Sequence, residues 1–371
     1  MEQSRAHGKS HWYHETQARN QAADVLPLVP EAAHVADRFL LDLTLPPFSS
    51  QTLRWLELSR QISAHLFPDA VDVNRLNTFS AYERLSTALT VAQVFGVQRL
   101  CNHYAARLAP LPGPDSSRES NHRLAQITQY ARQLAASPSI ICTQSRQQLD
   151  AVGLTAPDMV LITQIVGFIG YQARVVAAGQ ALMGLPVRWL PGMPMQDDAP
   201  ASCFDSPKGS WQPGLACREA TQIDAISNEI PQALAALLAW DESLPDLLAE
   251  LIQSLEVDQP LATLVALLNA RINGSTSCFQ LNGADELLKA ATLTGERALK
   301  LWQPEDLLSH AVIQAVQLII RAPDRFSAAQ FSPLTVQGLS VEQAFTLLAW
   351  SGVCGWINRL KIGLGEVLPD A

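Results

Sequence analysis

DMVLITQIVGFIGYQARVVAAGQALMG at 158–184 and QAFTLLAWSGVCGWINRLKIGLG at 343–365 are the stretches on which the fold turns. A constant offset of 185 joins them and the residues before them. Pro138 and Pro323 keep it, as do Leu149 and Leu334, Gly153 and Gly338, Leu154 and Leu339, Gly167 and Gly352, Gly170 and Gly355, and Arg174 and Arg359. These seven pairs fall in a 37-residue window without a gap, and aromatic Tyr171 meets aromatic Trp356. Gly, Pro and Arg dominate the pairs, and these residue types constrain backbone and burial most. The reading is a tandem duplication, two divergent copies of one helical unit. Glycines three apart on one helix face predict close helix–helix approach. An arginine inside an apolar helix must pair with a carboxylate or with carbonyls, or reach a pocket, because an unpaired buried guanidinium is costly. Arg174 and Arg359 are therefore either anchors of their helices or candidate substrate-binding residues.

Composition narrows the class. Of 371 residues, 48% are hydrophobic and only 16% charged, so much of the chain must be buried in cores or oligomer contacts. A net charge of -9 argues against a nucleic-acid surface. The longest uncharged part of the first repeated helix, Met159 to Ala173, is 15 residues, which predicts a core helix and no membrane span. The N-terminus MEQSRAHGKSHWYHETQ has no apolar signal region. Six scattered cysteines without a C-x-x-C predict reduced thiols and a cytoplasmic protein. His7, His11 and His14 share a helical face in a polar tail over 1–24, but no Cys or acidic ligand completes a metal site, so they read as solvated. No metal or cofactor is expected.

Periodicity predicts an all-α fold, with domains at 25–185 and 232–371 joined by a Pro-rich linker at 186–231. Ser80 with Glu83 three residues on is a capping box opening a helix toward Phe95-Gly96. Further helices are expected at 100–108, 121–136 and 143–151, with Gly153 in the left-handed conformation behind the last. Thr155 caps the long helix, with Pro157 in its first turn. In the linker, Trp189, Phe204 and Trp211 call for burial. The second copy is read as two amphipathic runs split at Pro245, then helices at 262–273, 277–291, 304–321 and 328–337 before the repeated helix.

Each copy also carries a helix, a glycine and another helix. Gly96 in ERLSTALTVAQVFGVQRLCNHYAARL (83–108) matches Gly274 in ATLVALLNARINGSTSCFQLNGADELL (262–288). A tight Gly turn leaves the next helix's first N–H groups free, which favours an anion or thiolate there. Cys278 lies in that first turn and is the candidate nucleophile, a core thiol being the alternative. Glu83, Cys101 and His103 sit by the first turn and read as surface or capping residues, with joint action there as the other possibility.

Asn273-Gly274 with a small polar run and Cys278, together with the spacing to Arg174 and Arg359, resembles the carboxymuconolactone decarboxylase and alkylhydroperoxidase D family, in its two-domain peroxidase-related branch. The resemblance covers roughly 75–185 and 235–366. It implies an alkylhydroperoxidase D-like helical domain in each copy, thiol-dependent peroxide reduction and homo-oligomers. The family's peroxidases carry N-G-C-x-x-C-x-x-x-H and an upstream glutamate. Carried onto the second copy, the resolving Cys falls on Ser275, the attacking Cys on Cys278, the His on Asn282 and the glutamate on Thr263. In the first copy these positions are Val97, Leu100, Tyr104 and Leu85. Without a second local Cys, a sulfenic acid on Cys278 would need an external thiol reductant.

The expected function is thus a peroxidase-related oxidoreductase with a degenerate site, Cys278, Asn282 and Ser275, acting on a peroxide or other small substrate. The alternative is a catalytically silent duplicated scaffold that binds a small molecule or a protein partner.

Overall fold

The computed structural model describes residues 29–188, 194–205, 209–218, 232–281, 283–303 and 305–369. The tail histidines, Trp189 and Asn282 lie outside them. Within the first part of the chain run α1 (Ser50–Leu66), α2 (Ala81–Phe95), α3 (Gln98–Leu108), α4 (Arg118–Ala136), α5 (Thr143–Asp150) and α6 (Ala156–Leu182). After the short strand β1 (Gly209–Pro213) come α7 (Gln232–Leu238), α8 (Leu244–Ser254), α9 (Gln259–Asn273), α10 (Thr276–Leu281) and α11 (Glu286–Thr294). The chain closes with α12 (Glu296–Leu301), α13 (Leu307–Arg321), α14 (Ala328–Val336), α15 (Val341–Leu364) and strand β2 (Gly365–Pro369). The fold is all-α, with β1 and β2 paired antiparallel as its one small sheet among the described residues.

Local chemistry sets the helix starts. Ser80 and Glu83 form the capping box on α2, with the Ser80 N–H donating to Glu83 Oε2 at 2.8 Å. Thr155 with Asp158 and Ser340 with Gln343 do the same for α6 and α15. The starts of α6 and α15 keep the 185-residue offset, Ala156 against Val341, as do those of α5 and α14, Thr143 against Ala328, and the 3₁₀ turns Pro138–Ile140 and Pro323–Arg325.

Three elements differ from the sequence reading. The helix expected at 277–291 is two helices, because Gly283 interrupts the run and Asp285 caps α11, accepting from the Leu288 N–H at 2.7 Å. Helix α12 stands where no element was foreseen. The linker contributes β1, held by the Trp211 indole N–H on the Lys361 carbonyl at 2.9 Å. Helix α6 runs 27 residues, long and apolar enough to cross a membrane, and nearly all of it is buried inside the protein.

Helices α6 and α15 lie against each other at the centre, and one hydrophobic core joins residues from both parts of the chain. A Cβ on Gly167 would overlap the Trp356 ring, and one on Gly352 would stand 2.8 Å from Tyr171 Cδ2. Gly167 and Gly352 therefore admit the facing helix's ring, and Tyr171 and Trp356 stack with centroids 6.1 Å apart. Gly170 and Gly355 do something else. Their missing side chains leave room for the guanidinium of Arg174 and Arg359 on their own helices, 3.2 and 3.3 Å from where a Cβ would be.

Those arginines are fully buried, and each reaches into the other part of the chain. Arg174 donates to its own Gly170 carbonyl at 2.7 Å and to the Ile320 carbonyl of α13 at 2.8 Å. Arg359 donates to its own Gly355 carbonyl at 3.0 Å and to the Ala135 carbonyl of α4 at 2.9 Å. Ala135 and Ile320 are themselves 185 apart. Among the described residues no carboxylate bridges either cation. Instead each closes the open carbonyl end of the other part's helix, where positive charge is favoured, and both lie over the Phe95 ring, at 4.8 and 5.5 Å from its centroid. Burial pushes Arg359 down to about 9, and burial together with the charge of Arg359 holds Arg174 well below its ordinary value.

Candidate functional site

The two glycine turns are built alike and covered differently. Gly96 ends α2 in the left-handed conformation, φ 69°, and Gly274 ends α9 at φ 79°. After Gly96 the chain turns directly into α3, whose N-cap residue Val97 supplies no side-chain cap. A cavity of about 440 Å³ opens there, within the range of small-molecule sites. Gln98, Arg99, Asn102 and His103 line it from α3; Asp324 and Phe326 face them, and Leu185 to Arg188 form another wall.

His103 is the unusual group in this cavity. It is 1% exposed, and its Nδ1 lies 2.7 Å from the Ala32 carbonyl. A carbonyl can only accept, so Nδ1 carries the proton and Nε2 is a bare acceptor. Burial pushes the imidazole pKa down to about 4; the Ala32 hydrogen bond opposes this, while Arg107 and Arg38 add to it. The ring is therefore neutral at pH 7, and Nε2 is buried without a protein partner. Such an orphan costs roughly 1–3 kcal/mol unless a ligand or water satisfies it. Asp324 stands beside Gly96, its carboxyl 3.1 Å from where a Cβ would be, and burial pushes its pKa up against the opposing charge of Arg325. Arg99 holds the Leu41 carbonyl at 2.9 Å.

The other candidates near Gly96 have structural work. Glu83 caps α2 and pairs with Arg123 at 2.6 Å. Tyr104 is buried and donates to Gln172 at 2.7 Å, while Val97, Leu100 and Leu85 belong to the core. Cys101 is half-buried.

Around Gly274 a stretch of the linker covers the turn. The Ala199 N–H donates to the Ile272 carbonyl at 3.0 Å, Arg271 donates to the Ala199 carbonyl at 2.6 Å, and the Gln196 amide donates to Asn273 Oδ1 at 2.9 Å. Phe204 packs on Phe279 with centroids 4.9 Å apart. A Cβ on Gly274 would lie 2.7 Å from Ser139 Cβ and 2.9 Å from Ala199 Cβ. Ser139 occupies here the place that Asp324 holds at Gly96. Cys278 is the third residue of α10 and half-buried. Cys354 of α15 is fully buried; burial drives its thiol well above the ordinary value, and the nearby Cys278 adds to the effect. Ser275 is buried, with an Oγ that has no partner. Neither Cys278 nor Ser275 lines the Gly96 cavity, nor do Arg174 and Arg359, whose Nη1 and Nη2 groups donate to carbonyls.

A second cavity, about 360 Å³, lies between α1, α2, α6 and the turn before α8, with His65, Arg84, Gln164 and Asp241 on its walls. His65 Nε2 sits 2.6 Å from Asp241 Oδ2. Burial works to raise Asp241, but hydrogen bonds from His65, Leu244 and Ser243 outweigh it and hold the carboxyl low. Sequence reasoning passed over this pair because its members are 176 residues apart. It also passed over Cys142, an exposed thiol at the start of α5 whose pKa is lowered chiefly by the Ser145 N–H. Among the described residues no three His, Cys, Asp or Glu side chains are grouped to hold a metal ion. No protein-family model matches the chain and no curated protein matches it, so these geometries are the ground for a functional reading.

Proposed function

We propose that the protein is a duplicated helical scaffold of the alkylhydroperoxidase D type that binds a small molecule in the cavity at Gly96. The 185-residue offset of caps, turns and exchanged arginines supports the duplication. One observation carries the binding reading: a buried, neutral His103 whose Nε2 lacks a partner, on the wall of a cavity at an uncapped helix start. A buried acceptor left open beside a cavity is a group arranged for a ligand's donor. Ligand-observed NMR with a mixed library of small polar compounds tests it. Asn102→Trp fills the cavity from α3, and binding present in the wild type is expected to vanish in that variant. Hits that persist unchanged would refute the assignment.

A second reading, peroxide reduction at Cys278, is favoured by a second thiol within electrostatic reach of it, that of Cys354. The Cys278 thiolate would attack the peroxide, cleaving its O–O bond and releasing an alcohol after protonation. The sulfenic acid would then condense with the Cys354 thiol to give a disulfide and water, which an external thiol reduces. Equal peroxide consumption by wild type and Cys278→Ser, supplied with dithiothreitol, would end this reading.

A further inference from the structure

The charged side chains, the buried imidazole and the helix start around the Gly96 cavity fall into two kinds, and together they describe a ligand. The acceptors are His103 Nε2, which has no protein partner, and the Asp324 carboxylate beside Gly96. The donors are the first N–H groups of α3, an 11-residue helix with no side-chain cap, and the guanidinium groups of Arg99 and Arg188. The amides of Gln98, Asn102 and Gln180 also line the cavity, and its apolar wall comes from Val35, Leu41, Val187 and Phe326.

From this arrangement we infer that the cavity takes an α-amino carboxylate with an apolar side chain. Its ammonium faces His103 and Asp324, its carboxylate the start of α3 with Arg99 and Arg188, and its side chain the aliphatic wall. The inference rests on the cavity being a binding site at all. A simple anion leaves Asp324 as a like charge and His103 without a donor. A simple amine leaves two cations and the helix start unmatched. An ammonium next to a carboxylate satisfies both sets within one short molecule, because three N–H donors can serve a carboxylate and a bare imidazole nitrogen together. The cavity, at about 440 Å³, holds a branched aliphatic side chain with space to spare.

Titration calorimetry with L-leucine, 2-hydroxy-4-methylpentanoate and 3-methylbutylamine separates the parts of this argument. Leucine is expected to bind, and each single-charge analogue at least tenfold more weakly. Asp324→Asn is expected to weaken leucine about tenfold, and Arg188→Ala, at an exposed position, several-fold; both changes leave the core intact. Binding of the hydroxy acid as tight as leucine, or leucine affinity unchanged in both variants, overturns the inference. If leucine gives no heat while library compounds still bind in a way that Asn102→Trp abolishes, this ligand class is wrong and the cavity reading stands. If nothing binds, both fall.

Discussion

Gly96 and Gly274 terminate their helices with the same backbone, and the protein treats them in opposite ways. At Gly96 a carboxylate from the 3₁₀ turn at 323–325 stands at the rim of a cavity. At Gly274 the corresponding serine, with Ala199 from the linker, closes the approach to methyl distance. The turn alone therefore does not make a site. What decides is whether the surrounding chain leaves the first N–H groups beside space or buries them under backbone. By that measure the turn followed by Cys278 is the covered one, and the turn followed by Cys101 has the cavity.

The sharpest way to break this comparison is to add the same methyl group to each turn. Ala in a left-handed conformation costs about 1–2 kcal/mol, and overpacking a rigid site adds roughly 1–3 kcal/mol. Gly274→Ala carries both costs, so about 3 kcal/mol is expected from its urea midpoint. Gly96→Ala meets only the movable Asp324 side chain and should lose nearer 1–2 kcal/mol. Equal losses would mean that the linker does not pack tightly on the second turn.

Next in size is the pH dependence of the open side. The unfolded imidazole titrates near pH 6.5 and the folded one near 4. Protons thus bind preferentially to the unfolded chain, and stability is lost as pH falls from 6.5 toward 4. At pH 5 that loss approaches 2 kcal/mol, at about 1.4 kcal/mol per unit. His103 is surrounded by Arg107, Arg38 and Asp42 as well as the Ala32 carbonyl. Denaturation at pH 7 and pH 5 should show this slope in the wild type, and a shallower one in His103→Gln. Parallel slopes would place the titration elsewhere.

Thiol labelling compares the two sides at lower cost to the fold. Exposed Cys142 is expected to react first with iodoacetamide at pH 8, half-buried Cys101 and Cys278 more slowly, and Cys354 only on unfolding. Peptide mass spectrometry reads the order, and early modification of Cys354 would show that the core opens there. The smallest expected effect concerns the cover itself. Asp198 pairs with Arg321 at 2.7 Å in a partly exposed bridge, so Asp198→Ala should cost under about 1 kcal/mol. It should nevertheless speed Cys278 labelling, and an unchanged rate would separate that bridge from the thiol's protection.

Much of the framework was legible because it is local. Ser80 with Glu83, Thr155 before Pro157, and the glycines at 96, 153 and 274 each act within a few residues of themselves. The rest depends on partners distant in sequence. Nothing near Arg174 indicates that Ile320 will accept its proton, and nothing near His103 indicates that Ala32 will bury it. Strand β1 was missed because five residues are too few to display alternation, and it exists only through pairing with β2. The cover over Gly274 comes from a Pro-rich stretch with no periodicity to read.

The arginine exchange bears on how the molecule can be taken apart. Cleaving the backbone in the linker would give two fragments, each with a buried cation whose carbonyl partner resides on the other piece and a helix terminus awaiting that cation. Neither fragment could satisfy its own interior, so the nicked protein is expected to stay associated without a covalent link and to melt in a single transition. Stepwise unfolding of the two parts would first have to strand those cations.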